Sequence, residues 1–89
     1  MNVTIDASEF NTIEEFHELL KEKLNFPEDY ADTLDELWDC LVNHCSLPLN
    51  LFWTDFEVSK TLIGDPIMEI VDLLNEAHDE IEDFVIEYQ

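Results

Sequence analysis

Arginine is missing from this sequence, and three lysines, Lys21, Lys23 and Lys60, stand against 23 acidic residues for a net charge of −20. Proteins that hold nucleic acid neutralise phosphates with clustered cations. Nothing here can do that, so nucleic-acid binding is excluded, and attachment to an anionic membrane surface falls with it. Glycine occurs once, at Gly64, which removes the Gly-rich loops that cradle phosphates. No apolar run approaches the ~20 residues that span a bilayer. The opening residues, Met1 to Glu9, lack the basic start and apolar middle of a secretory signal. A cytoplasmic location is the expectation.

Cysteine is scarce as well. Cys40 and Cys45 are five residues apart. If both are helical, their rise alone is about 7.5 Å, beyond the ~7 Å limit for a disulfide. Free thiols are expected, as suits a reducing compartment.

Apolar residues are plentiful. At 46% hydrophobic with ten aromatics, the 89 residues can bury a small core. Extreme charge usually means disorder, but this apolar content is too high and too periodic for that. One domain over residues 1–89 is expected.

Along the chain, Val3 and Ile5 alternate with polar neighbours as a short strand. Thr12 and Glu15 are spaced as a capping box for a helix whose stripe is Ile13, Phe16, Leu20 and Leu24. Lys21 and Lys23 in its last turn suit the helix dipole. Phe26-Pro27 ends it, and an acidic connection over 27–33 follows. Thr33 and Glu36 form the next capping box, opening a helix with Leu34, Leu37, Trp38 and Leu41 at i, i+3, i+4 and i+7. These leucines are assigned to the core.

Residues 47–53 are apolar and bounded by turn signals, a second strand with Pro48 near its start. Thr54 and Glu57 are spaced for a third capping box, before a short helix that ends at Gly64. Asp65-Pro66 reads as an N-cap and first residue of the last helix. Ile67, Ile70, Val71, Leu74, Ala77 and Ile81 are its core stripe; Asp72, Glu76, Glu80 and Asp83 are its outer row. Residues 84–88 close as a third strand, and Trp53 and Tyr88 are assigned to the core. Strands separated by helices pair in parallel through right-handed crossovers. The expected fold is α/β, a two-layer, three-stranded parallel sheet with about four helices in the order β-α-α-β-α-α-β.

The stretch from Asp32 to His44 carries the functional signal. Asp35 and Asp39 are four apart and stand side by side on the helix, with Trp38 at the edge of the apolar stripe beside them. Paired carboxylates do acid–base work when burial splits their pKa values, but an exposed convex helix offers neither burial nor a cleft. No nucleophile motif accompanies them, so an enzyme is not expected. Cys40, His44 and Cys45 are too few for a zinc site. Asp29, Asp32 and Asp35 lack the glycine-centred loop that holds calcium. No metal or cofactor is expected. What remains is a contact surface: like charges at i, i+4 destabilise a helix by a few tenths of a kcal/mol per pair, and here they recur without interleaved lysine.

The run Leu34-Asp-Glu-Leu-Trp-Asp-Cys-Leu41 resembles the second helix of the barstar family, intracellular inhibitors of the guanyl-specific ribonuclease barnase. The resemblance extends along the chain through Pro27, Tyr30, Pro48-Leu49, Trp53, Phe56, Ser59-Lys60, Glu76-Ala77 and Glu80. It implies a one-to-one inhibitor of a basic extracellular ribonuclease, monomeric when free, that protects a bacterial producing cell as an immunity or antitoxin protein does. Asp39 would stand in for the substrate phosphate, and Asp35 would bind arginine or the groups that read guanine. Asp29 and Thr33 would line the rim, Trp38 would pack at its edge, and Glu76 and Glu80 would supply outlying ion pairs. With Asn43 and His44 these make the expected partner-binding set. Family members carry aromatics where this chain has Asp29 and His44, and glycine and asparagine where it has Ala31 and Thr33. That departure keeps a second reading open, a barstar-like immunity or regulatory protein for a different basic partner such as another nuclease toxin. A third is acidic mimicry of nucleic acid without a fixed partner.

Overall fold

The computed structural model describes residues 1–44 and 47–89. Its elements are β1 (Asn2–Asp6), α1 (Ile13–Leu24), α2 (Leu34–Asn43), β2 (Leu49–Thr54), α3 (Phe56–Ile63), α4 (Asp65–Glu80) and β3 (Phe84–Tyr88). The three strands are all parallel in the order β1-β2-β3, with Val3 opposite Leu51 and Leu51 opposite Ile86. The expected α/β order β-α-α-β-α-α-β is the one observed.

Burial along the strands has period two. Leu49, Leu51 and Trp53 are buried while Asn50, Phe52 and Thr54 are half-buried; Val3 and Ile5 are buried while Asn2 and Thr4 are exposed. Side chains alternate across a strand, so the helices cover one face of the sheet and leave the other wet. Parallel sheets usually hide both faces; this one makes the two layers expected from sequence. Trp53 lies at the centre of the covered face, stacked on Phe16 at 4.9 Å and edge-on to Phe56 at 5.0 Å. Its indole N–H donates to Ser59 Oγ at 3.1 Å, which satisfies both buried groups.

Local expectations met tertiary competition in several places. Thr12 Oγ1 accepts from the Glu15 N–H at 3.1 Å, but the Glu15 carboxylate takes the N–H of Asn11. Each of these boxes is therefore only half made as written, since Thr33 Oγ1 accepts from the Glu36 N–H while the Thr33 N–H bonds Ala31 O. Thr54 does not cap α3 at all. It ends β2 opposite Asp6, and its hydroxyl donates to Asp6 Oδ2 at 3.0 Å. Asp55, in a left-handed conformation at φ 53°, takes the N-cap position without a side-chain bond.

Asp65 is the first residue of α4 rather than its cap. Gly64, at φ 85°, serves both α3 as C-cap and α4 as N-cap. Helix α4 stops at Glu80, so the acidic row is Asp72, Glu76 and Glu80; Asp83 belongs to the turn before β3, at φ 69°, a conformation aspartate tolerates. Leu34 is the clearest departure. It is 36% exposed, not core, because it opens α2 at the helix end and faces a surface groove. Tyr88 is half-buried rather than buried; its hydroxyl donates to Asn75 Oδ1 at 3.0 Å. One turn escaped sequence reading: Ala7–Glu9 form a 3-10 helix under a complete capping box between Asp6 and Glu9.

Candidate functional site

Helix α2 owes its position to its inner face. Leu37, Cys40 and Leu41 are buried, which turns Asp35 and Asp39 outward, both exposed. At 3.6 residues per turn, Asp35, Asp39 and Asn43 form one stripe. Asn43 Nδ2 donates to Asp39 Oδ1 at 2.8 Å, so one carboxylate oxygen is held by its own helix. The last turn carries no base. Among the described residues the one ion pair is Lys23 with Glu9, at 3.3 Å, far from this stripe in sequence.

The loop before α2 is anchored from below. Tyr30 is buried against Phe26 at 5.0 Å between ring centroids, and its hydroxyl meets His17 Nδ1 on α1 at 2.6 Å. Lys21 Nζ donates to Glu28 O at 3.1 Å, holding the start of the loop. Between these anchors and the Thr33 cap, Asp29, Ala31, Asp32 and Thr33 are exposed. Burial lowers the His17 pKa, and it drives the Tyr30 phenol well above its ordinary range. Both groups are therefore neutral near pH 7.

Burial also raises the Cys40 thiol, helped by the carboxylates of Glu36, Asp39 and Asp29. Acids of both the loop and the helix thus oppose ionisation of one buried thiol. Cys40 is a free thiol. The expectation for Cys45 lies outside the described residues. Among the described residues no group of three or more His, Cys, Asp or Glu side chains is placed to hold a metal.

The nine expected site residues fall into three places. Asp35, Trp38 and Glu76 come together in an open groove between α2 and α4. Asp39 and Asn43 share their hydrogen bond on the outer stripe, and His44 is the exposed C-cap of α2, its N–H on Cys40 O at 2.8 Å. Asp29 and Thr33 lie on the exposed loop, and Glu80 ends α4 one turn beyond Glu76, outside the groove. The groove also takes in Glu69 and Leu73, which the sequence reading passed over. Their signal was present: Glu69, Asp72, Leu73 and Glu76 are spaced i, i+3, i+4 and i+7, a second stripe beside the core stripe of α4. Asp72 is close enough to Tyr88 to add to the burial that pushes its phenol up to about 12.

The model of the family described as Barstar (barnase inhibitor) aligns with residues 1–89. The chain belongs to the barstar family. Among curated proteins it is 41% identical over 81 residues to "Putative ribonuclease inhibitor YrdF" of Bacillus subtilis (strain 168), an alignment covering 91% of this chain and 89% of the relative. No helix among the described residues is long and apolar enough to cross a membrane.

Proposed function

We propose that this protein inhibits a basic, guanyl-specific ribonuclease by seating α2 and the 27–33 loop in the enzyme's active site. The observation that carries the reading is the exposed carboxylate of Asp39 on the outer stripe of α2, in no ion pair among the described residues and with one oxygen left free of Asn43. A ribonuclease binds the phosphates of RNA with clustered cations, and a carboxylate on a ridge fits a hollow built for phosphate. Asp39 takes that role. Asp35 meets arginine or the groups that read guanine, Trp38 packs beside it, and Asp29, Thr33, Asn43 and His44 form the rim. Glu76 and Glu80 add outlying charge pairs from α4. Membership of the barstar family and the name of the Bacillus relative support the reading. The complex is one-to-one, no chemical step is assigned to this chain, and the free protein is a cytoplasmic monomer.

Charge governs how such a complex forms. A net charge of −20 steers a cationic partner into encounter, giving fast association that falls steeply with salt. The test is to titrate the protein into a guanyl-specific ribonuclease and follow RNA cleavage. Cleavage is expected to stop at equimolar inhibitor, and Asp39→Ala is expected to weaken inhibition about 30-fold or more, the ~2 kcal/mol that marks an interface hot spot. Barstar complexes themselves contributed to that general range. Cleavage undiminished by wild-type protein overturns the reading. Capture of a different basic nuclease toxin from the producing cell favours an immunity protein for that partner instead.

A further inference from the structure

The three-stranded sheet ends in two edges, and the fold treats them differently. Along a strand the main-chain groups point alternately to either side. Met1 O accepts from the Asn50 N–H, so on β1 the groups of Asn2, Thr4 and Asp6 face away from β2. Lys23 Nζ donates to Thr4 O at 2.6 Å, and the Asp6 N–H donates to Glu9 Oε1 at 3.0 Å. The Lys23–Glu9 ion pair ties these two caps together. An open edge is a template for another strand, and side chains block this one.

The β3 edge has no such cover among the described residues. The Gln89 N–H donates to Trp53 O and Asp83 O accepts from the Leu49 N–H. Val85 and Glu87 therefore face β2, while Ile86 and Tyr88 turn their N–H and C=O groups outward. No described side chain or loop bonds those outward groups. Nor does β3 carry the proline or lysine that commonly guards an edge. Its side chains form two rows. Ile86 and Tyr88, half-buried, run along the covered face; Val85, 42% exposed, and Glu87 run along the open one.

Charge decides what can pair there. Glu82, Asp83 and Glu87 are exposed on β3 and the turn before it, and no lysine follows Lys60 in the chain. A second copy of the chain brings its own net charge of −20 and is repelled. A strand from a cationic protein is attracted, and its main chain can satisfy Ile86 and Tyr88. The two rows set its pattern. Apolar side chains beside Ile86 and Tyr88 extend the covered face, and cationic ones beside Val85 and Glu87 meet the acids.

We propose that the outer edge of β3 is a strand-addition site for an extended segment of a basic protein in which cationic and apolar residues alternate. The site uses no residue of α2 or of the 27–33 loop. It stands whether or not the inhibitor reading does.

The test follows amide hydrogen exchange in the full chain with acetyl-Val-Lys-Val-Lys-Val-Lys-amide. In the free protein, the Ile86 and Tyr88 amides are expected to exchange faster than those of Val85 and Glu87, which face β2. The peptide is expected to slow Ile86 and Tyr88 at least tenfold at saturation. Acetyl-Pro-Lys-Pro-Lys-Pro-Lys-amide keeps the charge but loses alternate N–H groups, and acetyl-Val-Glu-Val-Glu-Val-Glu-amide reverses the charge. Neither is expected to slow them. Glu87→Lys, a change on the exposed row, is expected to weaken the valine–lysine peptide at least fivefold. Asp39→Ala is expected to leave its affinity unchanged.

Exchange at Ile86 and Tyr88 that the valine–lysine peptide leaves as it was overturns the proposal. So does equal slowing by the proline peptide, which would make the contact one of charge alone. Equal slowing at Asn2 and Thr4 on the β1 edge, or loss of the peptide in Asp39→Ala, places the contact elsewhere and overturns it as well.

Discussion

The hydroxyl of Tyr30 lies 2.6 Å from Nδ1 of His17, inside the core, joining α1 to the loop that leads into the acidic helix. Burial favours the neutral form of each. In the Nε2–H tautomer of the neutral imidazole the phenol donates and Nδ1 accepts. A protonated His17 has no lone pair at Nδ1 to accept with, so acid strikes at the tether of the binding loop.

The pH dependence follows with a definite sign. The native pKa of His17 is lowered from the ordinary 6.5, so the unfolded chain takes up the proton first as pH falls. The stability tied to neutral His17 is full above about pH 6.5 and is lost progressively as pH drops from there to the depressed native value. Urea unfolding at pH 7.5 and pH 5.5 is expected to show lower stability at the acid pH. His17→Gln, which stays neutral, is expected to flatten that window. Equal loss in wild type and variant would assign the effect to other groups.

Asn43 and Asp39 give a second prediction. Their 2.8 Å bond holds one rotamer of the carboxylate on an exposed helix, and ordering a side chain at an interface costs about 0.5–1.5 kcal/mol. Asn43→Ala is therefore expected to weaken ribonuclease inhibition about two- to tenfold, clearly less than Asp39→Ala. In Asp39→Ala the further change Asn43→Ala is expected to cost less than in wild type, since the part that runs through Asp39 is already gone and only the contact at the rim is left. Inhibition constants for the four proteins of that cycle check it; fully additive losses would mean that the bond to Asp39 contributes nothing to inhibition.

Ser59 is a stability prediction without a functional role. Its hydroxyl is the acceptor for the buried Trp53 indole, and both residues are sealed from water. Ser59→Ala leaves that N–H unpaired and is expected to cost about 1–3 kcal/mol, read as a lower urea midpoint at unchanged slope. Inhibition by the folded fraction is expected to stay at the wild-type level, because Ser59 sits on α3, away from α2.

The helices and strands were legible because their signals are local and periodic. Leu37, Cys40 and Leu41 turn inward on α2, Ile67, Ile70 and Leu74 on α4, as their spacing requires. The exposed Asp35 and Asp39 follow from the same arithmetic, since a stripe of one sign opposite an apolar stripe has nowhere to go but water. Motif resemblance to barstar rested on the same residues and led to the family the chain belongs to. Caps were read less well. Thr54 has the spacing of a cap, but its hydroxyl bonds Asp6, its partner across the β1–β2 pairing, and not the helix it was to open. A side chain with two possible partners is decided by the fold, not by its neighbours in sequence.

What the sequence determined alone is the character of the surface: 23 acids without an arginine repel every polyanion and attract polycations whatever the fold. It also determined which face of each helix is apolar, because 3.6 residues per turn is a property of the backbone. Only the tertiary structure decided that Tyr30 reaches back 13 residues to His17, and that Leu34 and Trp38 on α2 meet Leu73 on α4 in a groove. Those relations depend on how two rigid elements are set against one another, and that setting comes from the packing of the whole core around β2 rather than from any stretch of chain.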